Sequence, residues 1–134
     1  MTQHFHGVIP PVVTPLTADG QLDLSSFRRS LDRMITAGVH GVFTLGSSGE
    51  VAFSTDGRRK DIIEAVRKIV DGRVPVFVGC IDTETDRVIE HAIEAEKLGA
   101  SAIVATAPFY ALGGLPEIER HFRLIHEAVP ELPL

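Results

Sequence analysis

The stretch "AGVHGVFTLG", residues 37–46, joins the end of a helical pattern to a short apolar run through a glycine and a turn. The stretch "LGASAIVATA", residues 98–107, repeats this arrangement. In both stretches the apolar run is nearly continuous, which is typical of a parallel strand that is covered on both faces. Because the same joint occurs twice, the sequence predicts repeated units in which a helix leads into a buried strand.

Apolar runs and amphipathic helical patterns alternate along the whole chain. The predicted strands are "GVIPPVV" (7–13), "GVFTL" (41–45), "VPVFVG" (74–79) and "SAIVATA" (101–107), and "PELPL" (130–134) fits the start of a fifth. The predicted helices cover residues 22–38, 54–72, 83–99 and 115–129. With roughly thirty residues in each, the four βα units have the usual size of a parallel repeat.

A parallel α/β sheet of this kind is either an open, doubly wound sheet or part of a closed TIM (β/α)8 barrel. A dinucleotide-binding sheet needs G-x-G-x-x-G after its first strand, whereas "TPLTADGQLD" follows here. The sequence therefore favours a barrel, although a complete barrel needs ~250 residues. We predict an N-terminal half-barrel of about four βα units, forming a single domain over residues 1–134, with the C-terminal half absent.

Composition excludes several classes of partner. The net charge is -5, from thirteen basic and eighteen acidic residues, and no basic stripe is present, which disfavours nucleic acid and anionic membranes as partners. The lone Cys80 rules out an internal disulfide framework. The start "MTQHFHG" lacks the regions of a signal peptide, and Pro108 interrupts the longest weakly polar stretch. We expect a cytoplasmic protein.

The loop "GSSGE", Gly46–Glu50, follows the second predicted strand. In parallel α/β folds, ligands bind at the carboxyl ends of the strands. Glycines let a ligand approach the main chain, while backbone N–H groups and serine hydroxyls supply donors for an anion. The loop contains no lysine or arginine, so it favours a small carboxylate. An ordinary strand-to-helix turn accounts for the same five residues.

Four stretches occur in order and at family-like spacing: "GVIPPVVTPLTADGQLD", "GVFTLGSSGE", "GRVPVFVGC" and "AEKLGASAIVATAPFY". Together they resemble the dihydrodipicolinate synthase and N-acetylneuraminate lyase family of pyruvate-dependent aldolases. The most specific elements are the Gly-Ser-Ser-Gly-Glu loop and "PFY" at 108–110. The resemblance implies a TIM barrel and a class I aldolase (lyase) reaction, in which a lysine forms a Schiff base with pyruvate and a tyrosine shuttles protons.

The resemblance also implies roles for individual residues. Ser48 would hold the pyruvate carboxylate through its hydroxyl and neighbouring N–H groups, among them that of Gly49. Ser47 would belong to a proton relay that Tyr110 completes, reaching into a neighbouring subunit's site. Many family members carry threonines at the two serine positions, which leaves the substrate class open.

The family's Schiff-base lysine and main catalytic tyrosine lie on later strands. The three lysines present, Lys60, Lys68 and Lys97, fall on predicted helices, where none can have the desolvated pocket that a Schiff-base lysine needs. We therefore expect the isolated chain to be inactive as an enzyme. Since an open half-barrel exposes strand edges, we expect a homo-oligomer or pairing with the missing half-barrel.

Other candidate residues favour structural roles. We expect Cys80 to be a buried thiol, Asp82 or Thr83 to cap the third helix, and Glu50 to cap the turn after the serine loop. The histidines lack metal-ligand spacing, so we expect no metal site and no cofactor. Two alternative functions remain open: a truncated paralogue acting as a keto-acid-binding or assembly module, and an open-sheet nucleotide binder.

Overall fold

The computed structural model describes residues 4–134, which form a parallel three-stranded sheet and four α-helices. The strands are β1 (Val42–Thr44), β2 (Val76–Gly79) and β3 (Ala102–Val104), and the helices are α1 (Leu24–Thr36), α2 (Asp56–Val70), α3 (Thr85–Lys97) and α4 (Leu115–Ala128). Two short 3-10 turns, Ser47–Gly49 and Val51–Phe53, follow β1. The start of "MTQHFHG", where we predict no signal peptide, lies outside the described residues.

The strands pair in chain order, β1-β2-β3, and every pair is parallel, as the sequence predicts. The register places Val42 beside Val76 and Phe43 beside Phe77. Val42 and Val76 are fully buried in one cluster with apolar side chains of all four helices, whereas Phe43 and Phe77 are half-buried. Successive strand residues point to opposite faces, so the helices cover one face and the two phenylalanines lie on the other.

The first predicted strand, residues 7–13, does not form a regular strand. It runs beside β1 in an extended conformation, where Val12 N–H donates to Phe43 O (2.8 Å) and Phe43 N–H donates to Pro10 O (3.0 Å). A single parallel bridge joins Pro11 to Phe43. The backbone of Pro10 faces β1 but has no N–H group to donate, so a continuous ladder cannot form. The predicted parallel placement is therefore right, but the structure has three regular strands where four units were expected.

The C-terminal residues lie beside the other end of the sheet. Ile103 N–H donates to Pro133 O across 2.9 Å. "PELPL" thus pairs with β3 through one hydrogen bond without forming a regular strand, and its position suits the predicted start of a fifth.

The predicted helices are present, and most begin where the sequence indicates. Asp23 caps α1, and hydrogen bonds from Ser26 and then Ser25 lower the pKa of its carboxyl well below the usual range. Thr55 caps α2, and its side chain accepts from the Arg58 N–H. The cap of α3 is Glu84, whose carboxylate accepts from two backbone N–H groups, so the prediction of Asp82 or Thr83 is wrong.

The cores of the predicted apolar helix faces are buried, but their edges are not. Phe27 and Leu31 of α1 are fully buried, whereas Leu24, on the apolar face of the same helix, is 58% exposed. Leu24 is the first residue of its helix, and no further turn of α1 precedes it to cover its side chain.

Among residues 4–134, no helix is both long enough and apolar enough to cross a membrane.

The exit of β1 packs directly on the end of β2. Leu45 is fully buried and has a left-handed backbone (φ 57°). Its carbonyl oxygen lies so close to Gly79 that a methyl group on Gly79 would collide with it. The loop after β1 can therefore take this path only because residue 79 has no side chain.

Gly79→Ala should lower the free energy of unfolding by about 3 kcal/mol, because the added methyl group must displace backbone atoms. Gly57→Ala is the matched control, since a Cβ there meets nothing within 4 Å. As Gly57 lies inside α2, alanine should raise the free energy of unfolding by about 0.7 kcal/mol. Urea denaturation followed by circular dichroism measures both, and equal effects of the two substitutions would contradict the close approach.

Candidate functional site

The serine loop lies at the carboxyl edge of the sheet. After β1 the chain turns at Leu45, and Ser47–Gly49 forms one short 3-10 turn. Ser47 and Ser48 are exposed, whereas Gly46 and Gly49 on either side of them are buried. The backbone on either side is thus packed into the protein, and the two hydroxyl-bearing residues are presented to solvent.

Hydrogen bonds within the turn decide which amides remain available. Gly49 N–H and Val51 N–H both donate to Gly46 O (3.0 and 3.4 Å), and Glu50 N–H donates to Ser47 O (3.0 Å). For the amides of Ser47 and Ser48 we find no partner within residues 4–134. These two N–H groups and the two serine hydroxyls are therefore donors free to bind an anion. A role for the Gly49 amide stays a prediction, and here that group closes the turn.

The turn is held from a second side by the segment before α1. Thr14 Oγ1 donates to Gly49 O across 2.8 Å. A Cβ on Gly49 would lie 3.1 Å from Val12 O, so glycine lets the two backbones touch. This support could not be predicted from the sequence, because Thr14 lies 35 residues before Gly49.

Unusual backbone conformations cluster at this edge. Within residues 4–134, four residues other than glycine have positive φ: Leu45 (57°), Glu50 (58°), Asp71 (48°) and Tyr110 (76°). Asp71 is the ordinary left-handed cap of α2. The other three lie directly before and after the serine turn and in the loop after β3. Such conformations cost about 1–2 kcal/mol each and concentrate at functional sites.

Glu50 does not play the predicted capping role. Its side chain makes no capping hydrogen bond to either adjacent 3-10 turn. It links the two turns through its left-handed backbone, and its carboxylate is exposed.

Tyr110 lies in the loop after β3 and is 95% exposed. The structure therefore brings it to the same edge as the serine turn. β2 lies between β1 and β3, which separates the two loops by about 10 Å at strand level. Within residues 4–134 we find no hydrogen bond between Tyr110 and Ser47.

Asp82, which follows β2, joins α2 and α3 at this edge. Its carboxylate accepts from His91 Nε2 (3.1 Å) and Arg87 Nε (3.1 Å), and it lies 3.5 Å from the buried Arg59 guanidinium. Burial alone would raise the pKa of Asp82, but hydrogen bonds from the Thr83 amide, His91 and Arg87 hold this pKa at about 2. Asp82 is therefore a structural anion, and its role was not predictable from "DTETD" alone.

The remaining candidates are structural or solvent-exposed. Cys80 is fully buried, as predicted, and burial raises the pKa of its thiol to about 12, so it is not a nucleophile. Lys60, Lys68 and Lys97 are all exposed on helices. In the part of the chain that the structure describes, no group of three or more His, Cys, Asp or Glu side chains could hold a metal ion.

Comparison with known proteins matches the fold of the chain. The chain superimposes with a TM-score of 0.93 and 40% identity on YagE, a prophage protein of the dihydrodipicolinic acid synthase family from E. coli K12, solved in complex with pyruvate. This alignment covers 96% of our chain and 43% of YagE. With dihydrodipicolinate synthase from Acinetobacter baumannii, also complexed with pyruvate, the TM-score is 0.94 at 28% identity, covering 98% and 45% of the two chains.

These neighbours define the class: an α/β protein with the strand order and helix packing of TIM-barrel lyases. The family model of the dihydrodipicolinate synthetase family matches residues 4–134. 4-Hydroxy-tetrahydrodipicolinate synthase of Phenylobacterium zucineum is 35% identical over 130 residues, which are 97% of this chain and 44% of that enzyme. The chain belongs to the dihydrodipicolinate synthetase family, whose members are aldolase-type lyases, and it spans about two fifths of the length of these relatives.

Asp82 should make the stability of the fold depend on acid pH. The pKa of an unfolded aspartate is about 3.9, and the folded value is about 2. The stabilising contribution of the carboxylate is therefore present above pH 4 and is lost as pH falls towards 2. Asp82→Asn lacks this contribution, so the difference in urea midpoint between wild type and variant should shrink from pH 5 to pH 2.

Asp61→Asn is the matched control, because Asp61 is exposed on α2 and takes part in no ion pair that we find within residues 4–134. Its difference from wild type should stay constant over the same pH range. A constant difference for Asp82→Asn as well would contradict the role of the Asp82 network.

Proposed function

We propose that this chain provides the keto-acid-binding part of a pyruvate-dependent class I aldolase site. The observation that carries the proposal is the serine turn: two free amides and two exposed hydroxyls converge at the carboxyl edge, between two strained residues, Leu45 and Glu50. Family membership and the two pyruvate-bound neighbours support a keto acid as the anion.

The donors suit a small carboxylate bound without a counter-charge. Ser48 holds the carboxylate through its hydroxyl and amide, and the amide of Ser47 adds a third donor. The hydroxyl of Ser47 passes a proton in a relay that is completed by Tyr110 of a neighbouring copy of the chain. Because no lysine or arginine lies in Gly46–Glu50, affinity depends on neutral dipoles, each of which is worth more when water is excluded from the site.

The covalent step needs an amine that this chain does not offer. A Schiff-base lysine must lose its proton near neutral pH, which requires desolvation or a neighbouring cation. Lys60 stands on the surface of α2 near Glu64 and Glu94, within 4.0 and 3.7 Å, so it has neither. The chain therefore binds pyruvate reversibly. This behaviour also fits the second role predicted from the sequence, a keto-acid-binding or assembly module without catalysis.

Pyruvate should bind the 134-residue chain weakly in calorimetry, and Ser48→Ala should weaken the binding about tenfold or more, because it removes a charge-assisted hydrogen bond. Ser47→Ala should weaken it less. Ser30→Ala, in α1 and away from this edge, is the control and should bind as wild type does. Equal binding by all four proteins would contradict the serine turn as the site.

Borohydride reduction in the presence of pyruvate provides the complementary measurement. Intact mass spectrometry should show no added mass on the chain. A pyruvate adduct at Lys60, Lys68 or Lys97 would overturn the assignment of the chain as the non-covalent part of the site.

We further propose that the Tyr110 loop forms a contact between copies of the chain, so that Tyr110 reaches a neighbouring site. Within residues 4–134 the four most exposed large apolar or aromatic side chains are Tyr110 (95%), Leu112 (85%), Leu115 (83%) and Phe53 (79%). All four follow β1 or β3 at the carboxyl edge. Exposed apolar side chains concentrated on one edge are typical of an interaction surface.

Leu112→Lys should raise the dissociation constant for self-association about tenfold or more, because it places a charge in an apolar contact. Leu24→Lys is the control, since Leu24 is also exposed but lies on α1. Sedimentation velocity over a range of concentrations measures both. If Leu24→Lys disrupted assembly and Leu112→Lys did not, the contact would lie elsewhere.

A further inference from the structure

His121 is the one histidine among residues 4–134 that is fully buried, with 1% of its surface exposed. It lies on α4, and its ring lies between α3 and the chain that leaves β3. Nδ1 is 3.0 Å from Thr85 Oγ1, and Nε2 is 3.1 Å from Thr106 O. The proposed chemistry at the serine turn does not use this side chain, and no sequence pattern indicates a role for it.

The partners of the ring determine which nitrogen carries the proton. Thr106 O is a carbonyl and can only accept, so Nε2 must donate. The Thr85 hydroxyl can donate or accept, so it satisfies Nδ1 in either role. Both ring nitrogens therefore have partners, and the ring is held in a fixed orientation.

The hydrogen bond from His121 to Thr106 O attaches the loop after β3 to α4. It is the only hydrogen bond that we find to residues 105–113 within the described part of the chain, 4–134. This segment carries Tyr110, whose φ of 76° is disfavoured for any residue with a side chain. Tyr110 itself is exposed, so packing of its ring does not set the path of the loop.

We propose that His121 is a positioning residue for Tyr110. It fixes the carbonyl at the start of the loop after β3, four residues before the tyrosine, and thereby sets the direction in which the loop leaves the sheet. The inference rests on the proposed role of Tyr110 in the proton relay. His121 touches neither the serine turn nor Tyr110, so it acts only through the backbone between them.

A purely structural role predicts something different. If His121 only joined α4 to α3, its bond to Thr85 would matter and its bond to Thr106 would not. The two bonds leave from different ring atoms, so two amide side chains separate them. The amide of glutamine reaches the position of Nε2 and can donate to Thr106 O, whereas the shorter amide of asparagine reaches the position of Nδ1 and Thr85.

The chain is suited to the test because Tyr110 is its single tyrosine. Selective labelling with 15N-tyrosine therefore gives one amide resonance, which reports on the loop directly. We expect His121→Gln to keep this resonance close to its wild-type position. We expect His121→Asn to shift or broaden it, because the loop then loses its hydrogen bond at Thr106 O.

Thr85→Val is the matched control, because it removes the other bond of His121 and keeps the shape of the side chain. We expect it to leave the Tyr110 resonance unchanged. Melting temperatures of the three variants show whether a change in the loop merely reflects a general loss of stability, and we expect Gln and Asn to lower them similarly.

The proposal is overturned if His121→Asn keeps the wild-type Tyr110 resonance, if His121→Gln disturbs it as much as His121→Asn does, or if Thr85→Val disturbs it equally. None of these measurements contains pyruvate. A failure of the proposed function would appear as absent pyruvate binding with the loop responses intact, so the two outcomes can be told apart.

Discussion

The contact between the Leu45 carbonyl and Gly79 is the constraint on which the candidate site depends. It lets the chain leaving β1 cross directly over the last residue of β2, and it does so at the expense of a left-handed, fully buried leucine. The serine turn that follows is fixed on its other side by Thr14, through Gly49 O. Held at both ends, the turn keeps its shape without needing a ligand to order it, so it is preorganised, and the amides of Ser47 and Ser48 have no partner within residues 4–134.

Each strand that ends at this edge continues into a loop that is secured in a different way. The loop after β1 is secured by backbone packing, and the loop after β2 by the ion pairs of Asp82 with Arg87 and Arg59. The loop after β3 is secured by the hydrogen bond from His121 to Thr106 O. Packing and hydrogen bonds change little with salt, and the pair of Arg59 with Asp82 is screened weakly because these side chains are only 8% and 12% exposed. Only the contact of Asp82 with the half-exposed Arg87 guanidinium is open to screening by salt. The serine turn and the tyrosine loop are thus attached through interactions that depend little on ionic conditions.

The sequence was sufficient for whatever depends on local pattern. The βα alternation and the buried Cys80 follow from periodicity and residue type, and the structure confirms them. Family motifs placed the serine turn and Tyr110 at the carboxyl edge.

Features that depend on distant parts of the chain could not be predicted in this way. Thr14 supports a glycine 35 residues away, and His121 looks like any helical histidine until α3 and the loop after β3 are packed around it. The irregular segment 7–13 was predicted in part. Its prolines are evident in the sequence, but their effect depends on which backbone N–H and C=O groups face β1.

Those prolines have a consequence for behaviour outside the folded molecule. In the first segment, Pro10 O and Val12 N–H point towards β1, so the backbone of Pro11 between them faces away from the sheet. At that outer position an ordinary residue would present a donor, and Pro11 has none. An incoming strand from another molecule therefore meets an interrupted row of partners there. Pro10, whose missing N–H would face β1, prevents a regular strand, while Pro11 protects this border of the sheet against the intermolecular pairing from which fibrils grow.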